Sequence, residues 1–122
     1  MKGIAIRGFD APDATRTPDH ALVEVIDLGS AIVARMTLHP GWRWSTSIKP
    51  VVGTDTCQAR HLGLALQGHL HVVHDDGTEA DIGPGEAYVI EPGHDAWVVG
   101  DEPAVAYEFE STAVDTFGKS AQ

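Results

Sequence analysis

A small all-β domain is what the sequence predicts, and three features carry the prediction. Short β-prone runs recur along the chain. Turns rich in Gly and Pro divide them. No stretch sustains the 3.6-residue periodicity of an amphipathic helix, so sheets must build the core. With 122 residues the chain is long enough for one domain with its own core, and residues 1–122 are expected to form it.

The first expected strand is GIAIRGF, residues 3–9, followed by a polar loop, residues 10–20, with two prolines. ALVEVIDL and AIVARMTL flank Gly29-Ser30 and read as a hairpin. Residues 39–56, HPGWRWSTSIKPVVGTDT, read as a long connection of partly extended character. QARHLGLAL is a strand ending at Gln67-Gly68, and HLHVVH is expected to pair back from it. Asp76-Gly77 is a strong hairpin signal. EADI, EAYVI, AWVVG and AVAYEFE complete the series, and residues 111–122 read as a loosely attached tail.

Side-chain parity divides the stretch around Cys57 into two faces. On a regular strand Cys57, His61, Gly63, Ala65 and Gln67 share one face, small and polar enough to line a cavity. Leu62, Leu64, Leu66 and Leu70 share the other, a stripe that needs cover, and a homodimer is the expected cover.

Charge narrows the partners. Eighteen acidic and eight basic side chains give a net charge of −10, which repels phosphate backbones and anionic membranes. Neither nucleic acid nor membrane is an expected partner; a small-molecule ligand is. The opening MKGIAIRGFD has no apolar run long enough for a signal peptide or an anchor. Cys57 is the single cysteine, so no internal disulfide can form, and a cytoplasmic location is expected.

From about Gly53 to Pro103 the sequence resembles the cupin superfamily of small jelly-roll barrels. Asp55-x-Cys57-x3-His61-x6-Gly68 falls on the frame of the first cupin motif, and Gly85-x5-Glu91-x-Gly93-x2-Ala96 falls on that of the second. The intervening HVVHDDGTEADIGPGEAYVI resembles the cupin inter-motif hairpin. The resemblance implies an all-β double-stranded β-helix, a small single-domain cupin. Cupins commonly hold Fe, Mn, Ni or Zn through three histidines and a glutamate. Here Asp55 and Cys57 replace two of the histidines, His61 replaces the glutamate and Ala96 replaces the last histidine, so the ligand set itself has changed.

Two readings of that changed set stay open. In one, Cys57, His61 and His94 hold a divalent ion, with Zn²⁺ favoured by thiolate and imidazole donors and Fe, Mn or Ni as alternatives. Asp55 or Gln67 could then supply a fourth ligand. In the other the pocket is metal-free, because a lone buried cysteine is commonly a small core hydrophobe. A Cys57–His61 nucleophile–base pair is disfavoured, since residues four apart on an extended strand lie roughly 13 Å apart. Trp42, Trp44 and Trp97 lie in or near segments expected at the cavity mouth, where aromatic walls could hold a ligand. Arg43 and Lys49 could meet an anionic group. His69, His71 and His74 follow Gly68 and read as surface residues of a hairpin. The functions that follow are a small-molecule-binding cupin, a metal-dependent cupin enzyme of isomerase, dioxygenase or lyase type, and a structural dimerisation module.

Overall fold

A computed structural model describes residues 3–109; the tail read at 111–122 lies outside the described residues. Nine strands form two antiparallel sheets among these residues. They are β1 (Ala14–Arg16), β2 (Ala21–Asp27), β3 (Ile32–Leu38), β4 (His61–Gln67), β5 (His69–His74), β6 (Glu79–Ile82), β7 (Ala87–Ile90), β8 (His94–Val99) and β9 (Ala104–Phe109). The larger sheet has the order β1-β2-β3-β9-β4-β7, and the smaller has the order β6-β5-β8. The inward residues of both sheets make one core, including Val23, Ala34, Met36, Val72, Ile90 and Ala96.

The β2–β3 hairpin forms across Gly29-Ser30, with Leu28 N–H donating to the Ala31 carbonyl at 2.8 Å. The β5–β6 hairpin turns at Asp76-Gly77, where Gly77 adopts a φ of 92°. EADI, EAYVI, AWVVG and AVAYEFE supply β6 to β9.

Two expectations fail and a third gains detail. GIAIRGF is not a strand, and Ile4 and Ile6 stand 77% and 86% exposed. The place beside β2 that it would take is filled by Ala14–Arg16, from the expected loop. What fixes the segment is Phe9, stacked on Tyr107 at 5.7 Å and lying under the Arg35 guanidinium at 4.7 Å.

The connection at 39–56, read as partly extended, contains two single-turn helices, α1 (Trp44–Ser47) and α2 (Lys49–Val52). Pro50 sits in the first turn of α2, where its missing N–H costs nothing, and Gly53 closes that turn at a φ of 78°. Buried Trp44 and Ile48 pin it to the core, a spacing too short to read as periodicity.

Finally, β5 does not pair back onto β4. The chain passes from the large sheet to the small one at Gly68, whose φ is 71°. A Cβ there would lie 2.2 Å from the Pro103 carbonyl oxygen, so only glycine permits the crossing. The crossing resets parity. Leu62 and Leu66 face outward on β4, each 39% exposed, whereas Leu70 turns inward to line the interior.

Candidate metal centre and its cavity

Cys57 and His94 are brought together by backbone pairing. The Cys57 N–H donates to the His94 carbonyl at 2.7 Å, and the Gly93 N–H donates to the Cys57 carbonyl at 2.7 Å. Residues 58–60 lie outside the ladder, between this bridge and the start of β4, with Ala59 buried between exposed Gln58 and Arg60. The two side chains nevertheless meet, against the 13 Å expected from strand rise: Cys57 Sγ lies 3.8 Å from His61 Nε2. His94 opens β8 two residues before Ala96, so strand alternation gives both the inward face without any register shift. One ligand atom from each of Cys57, His61 and His94 lies within 4.8 Å of the others. Their exposures are 3%, 8% and 2%.

Both imidazoles are held by their second nitrogen. His61 Nδ1 donates to Glu108, at 2.9 Å from Oε1 and 3.1 Å from Oε2. His94 Nδ1 donates to the Glu91 carbonyl at 2.8 Å. The Nε2 atoms are thereby left for the centre, an arrangement typical of histidine ligands. Tyr88 adds a second bond to the same carboxylate, its hydroxyl donating to Oε2 at 2.7 Å. Gly63 makes room for that tyrosine, since a Cβ there would lie 2.6 Å from the Tyr88 hydroxyl and 2.6 Å from the Tyr107 carbonyl.

Electrostatics follow the contacts. Burial raises the Cys57 thiol, but hydrogen bonds from His61 and His94 outweigh it and bring the pKa down to about 6. Burial alone would lower His61, yet the Glu108 charge and the Cys57 contact hold it up at about 10. The Tyr88 hydroxyl is pushed well above its ordinary value by burial and by the Glu108 charge, so it remains a donor.

The donor set fits a metal. One thiolate and two imidazoles suit Zn²⁺ and its neighbours in softness. Ligand atoms around a tetrahedral zinc are about 3.4–3.6 Å apart by its bond lengths, and the Cys57–His61 separation of 3.8 Å is near that.

Beside His61, His94 and Glu108 lies an interior cavity of about 70 Å³. Trp42 and Trp44 line it, with apolar walls from residues such as Val23, Met36, Ile82 and Ile90. Gln67 also lines it but is exposed, which puts it at the rim. Cys57 is not on the wall.

Two expected pocket residues lie elsewhere. Asp55 is fully exposed, 4.0 Å from Lys49, and neither a fourth ligand nor a wall residue. Trp97 alternates with inward Ala96 and Val98, so it faces out from β8 between Arg43, 4.2 Å away, and His71, 4.9 Å away. Arg43 is paired with Asp95 at 3.4 Å; it and Lys49 are absent from the cavity lining. His71 sits on the outer face too, its Nδ1 2.5 Å from Asp81 and its Nε2 2.7 Å from Glu79. Sequence reasoning missed Glu108 and Tyr88. The signal was parity: Ala104, Ala106 and Glu108 alternate toward the interior, and a carboxylate on that face requires a partner.

No protein-family model matches the sequence, and no curated protein matches it either. Solved structures do match by shape. A protein of unknown function from Rhizobium leguminosarum is 20% identical over 89% of this chain and 96% of its own, with a TM-score of 0.62. Oxalate decarboxylase from Lactobacillus farciminis, solved as its formate complex, is 15% identical over 89% of this chain and 33% of its own, at 0.61. KdgF from a Halomonas species is 17% identical over 90% of this chain and 94% of its own, at 0.57. The similar structures include cupins, and this chain has their fold, the cupin jelly-roll barrel.

Proposed function

We propose that this protein is a metal-binding cupin in which Cys57, His61 and His94 hold one divalent ion at the end of an apolar cavity that receives a small molecule. The observation that carries the reading is the convergence of the three ligand atoms within 4.8 Å, with the Nδ1 of each histidine already engaged. Zn²⁺ suits these donors best, and Fe, Mn or Ni are the alternatives. An ion with three protein ligands keeps a position for water or substrate and supplies Lewis-acid chemistry there.

The chain's own residues have separable tasks. Glu108 fixes the ring plane and tautomer of His61 and keeps a negative charge behind it. Tyr88 holds that carboxylate in place. Trp42 and Trp44, with their apolar neighbours, exclude water from the approach. Enzymatic turnover of isomerase, dioxygenase or lyase type is the extension of this reading that activity assays would address.

A second reading rests on the Cys57–His61 contact. A metal-free thiolate beside an imidazolium, with Glu108 orienting the ring, is the geometry of an activated nucleophile. Elemental analysis of protein purified without a histidine tag separates the two. Stoichiometric metal that is lost in Cys57→Ser and His61→Ala, with the circular dichroism spectrum unchanged, supports the metal centre. Metal-free protein whose Cys57 is alkylated by iodoacetamide near neutral pH, and less so in Glu108→Gln, supports the nucleophile instead.

A further inference from the structure

The two sheets stay unjoined along one side. β7 ends the large sheet and β6 ends the small one, and residues of both line a groove of about 500 Å³. Each strand turns a main-chain donor toward its open edge. The Glu86 carbonyl accepts from the Ala65 N–H at 2.9 Å, so the trans peptide points the Ala87 N–H away from β4. The Thr78 carbonyl accepts from the His74 N–H at 2.8 Å, which points the Glu79 N–H away from β5 in the same way. Buried Val72, Ile82 and Ile90 give the groove an apolar floor. Its rim is acidic: Asp76, Glu79, Asp81, Glu86 and Glu91 are all exposed, and no lysine or arginine lines it. Arg60 reaches Glu91 at 3.2 Å from outside the groove, and His71 lies between Glu79 and Asp81, so the rim keeps an excess of negative charge.

We infer that this groove takes an extended, basic segment of a partner protein, which adds as a strand along β7. A bare strand edge is a template for an incoming main chain, and alternate side chains then supply the specificity. Ala87 and Val89 are exposed whereas Ile90 is buried, so a residue hydrogen-bonded opposite Ala87 points outward, to the rim. Its neighbours in the segment point inward, to the floor. Lysine or arginine alternating with small apolar residues matches both. A second copy of this chain fits the groove poorly, because it carries −10 and brings its own carboxylates against these. The surface is separate from Cys57, His61 and His94 and requires no metal.

The test titrates the full chain, by calorimetry, with a capped seven-residue peptide of alternating valine and lysine. Saturable binding is expected, and none with glutamate in place of lysine. Methylating the lysine main-chain nitrogens, which face β7 when the valines face the floor, keeps the charge but removes the donors. That peptide is expected to bind about tenfold more weakly. Glu79→Gln with Asp81→Asn should cost about three- to tenfold, whereas Asp101→Asn with Glu102→Gln, exposed but outside the groove, should cost nothing. Ala87→Pro, which deletes the donor at the open edge, should weaken binding with the circular dichroism spectrum unchanged. If that variant fails to fold, the methylated peptide decides alone. A parent peptide that does not bind overturns the inference and leaves the carboxylates as guards of two bare edges. Equal binding of the methylated peptide, or an equal loss in the Asp101 and Glu102 variant, overturns it in favour of diffuse attraction. Binding that falls as protein concentration rises overturns it in favour of a second copy in the groove.

Discussion

Glu108 does the positioning at the centre, although it belongs to neither cupin motif. It sits on β9, one diagonal step across from His61 on β4, and its two oxygens serve His61 and Tyr88. Glu108→Gln keeps the shape and an acceptor for His61 while removing the charge behind the ring. Partners of metal-bound histidines are worth about 10–100-fold in affinity, so competition against a chromogenic chelator is expected to show a loss in that range. Unchanged affinity would reduce Glu108 to a core residue. Gly63 is the second prediction at this scale. Its missing side chain admits the Tyr88 ring, and the obstacle includes the Tyr107 backbone, which cannot rotate away. Gly63→Ala should lower stability by about 1–3 kcal/mol, as overpacking does, measured by urea unfolding. A cost within error would mean that the sheet yields at no expense. Glu108 and Gly63 were only half legible in the sequence. Their inward parity could be read, but which partner each met depended on the register of β4 against β9 and β7.

At the scale of elements, strand patterns were legible where alternation is local and turn chemistry explicit, as in the β2–β3 and β5–β6 hairpins. What was hidden is set by tertiary competition. Ile4-x-Ile6 has a strand's pattern, but the edge of β2 is already taken by Ala14–Arg16. Cys57 is placed by its pairing with His94, so its contact with His61 could not be inferred from spacing alone. Parity at His94 could have been read directly, because His94 and Ala96 must share a face. The outer face of the small sheet carries a pH-dependent feature. His71, held between Asp81 and Glu79, has a pKa raised above its ordinary value, mainly by the hydrogen bond to Asp81. Because the folded value is the higher one, the stabilisation is complete below the unfolded pKa of about 6.5. It is lost as pH rises through the folded value. Both carboxylates are well exposed, so screening holds the effect to about 1 kcal/mol or less. The stability gap between the native chain and His71→Gln, from denaturation at several pH values, should be widest below about pH 6.5 and close as pH rises. A gap that widens with pH would show that His71 acts through its packing on Trp97 instead.

For the whole molecule, charge and exposed apolar area make opposing demands, and together they predict where a second copy would dock. Two copies at −10 each repel, so any contact between them must avoid the charged surface. The outer face of β4 and β7 is such a place: Leu62 stands opposite Val89, with Leu66 further along β4. Phe109 on β9 adds to it, and these four side chains are 39%, 51%, 39% and 37% exposed. β7 ends its sheet, so a second copy can reach Val89 from an open side. A two-fold contact would bury the same patch on both copies. The expected species is therefore a homodimer by sedimentation velocity. Val89→Glu and Leu62→Glu should each yield folded monomer, because a buried unpaired carboxylate would then face its own symmetry mate. Val99→Glu, at a side chain 43% exposed on the other sheet, should leave the dimer intact. A native chain that sediments as a monomer at every concentration would refute the interface. A dimer split equally by Val99→Glu would move it to the small sheet, where Trp97 and Arg43 would become the buried pair.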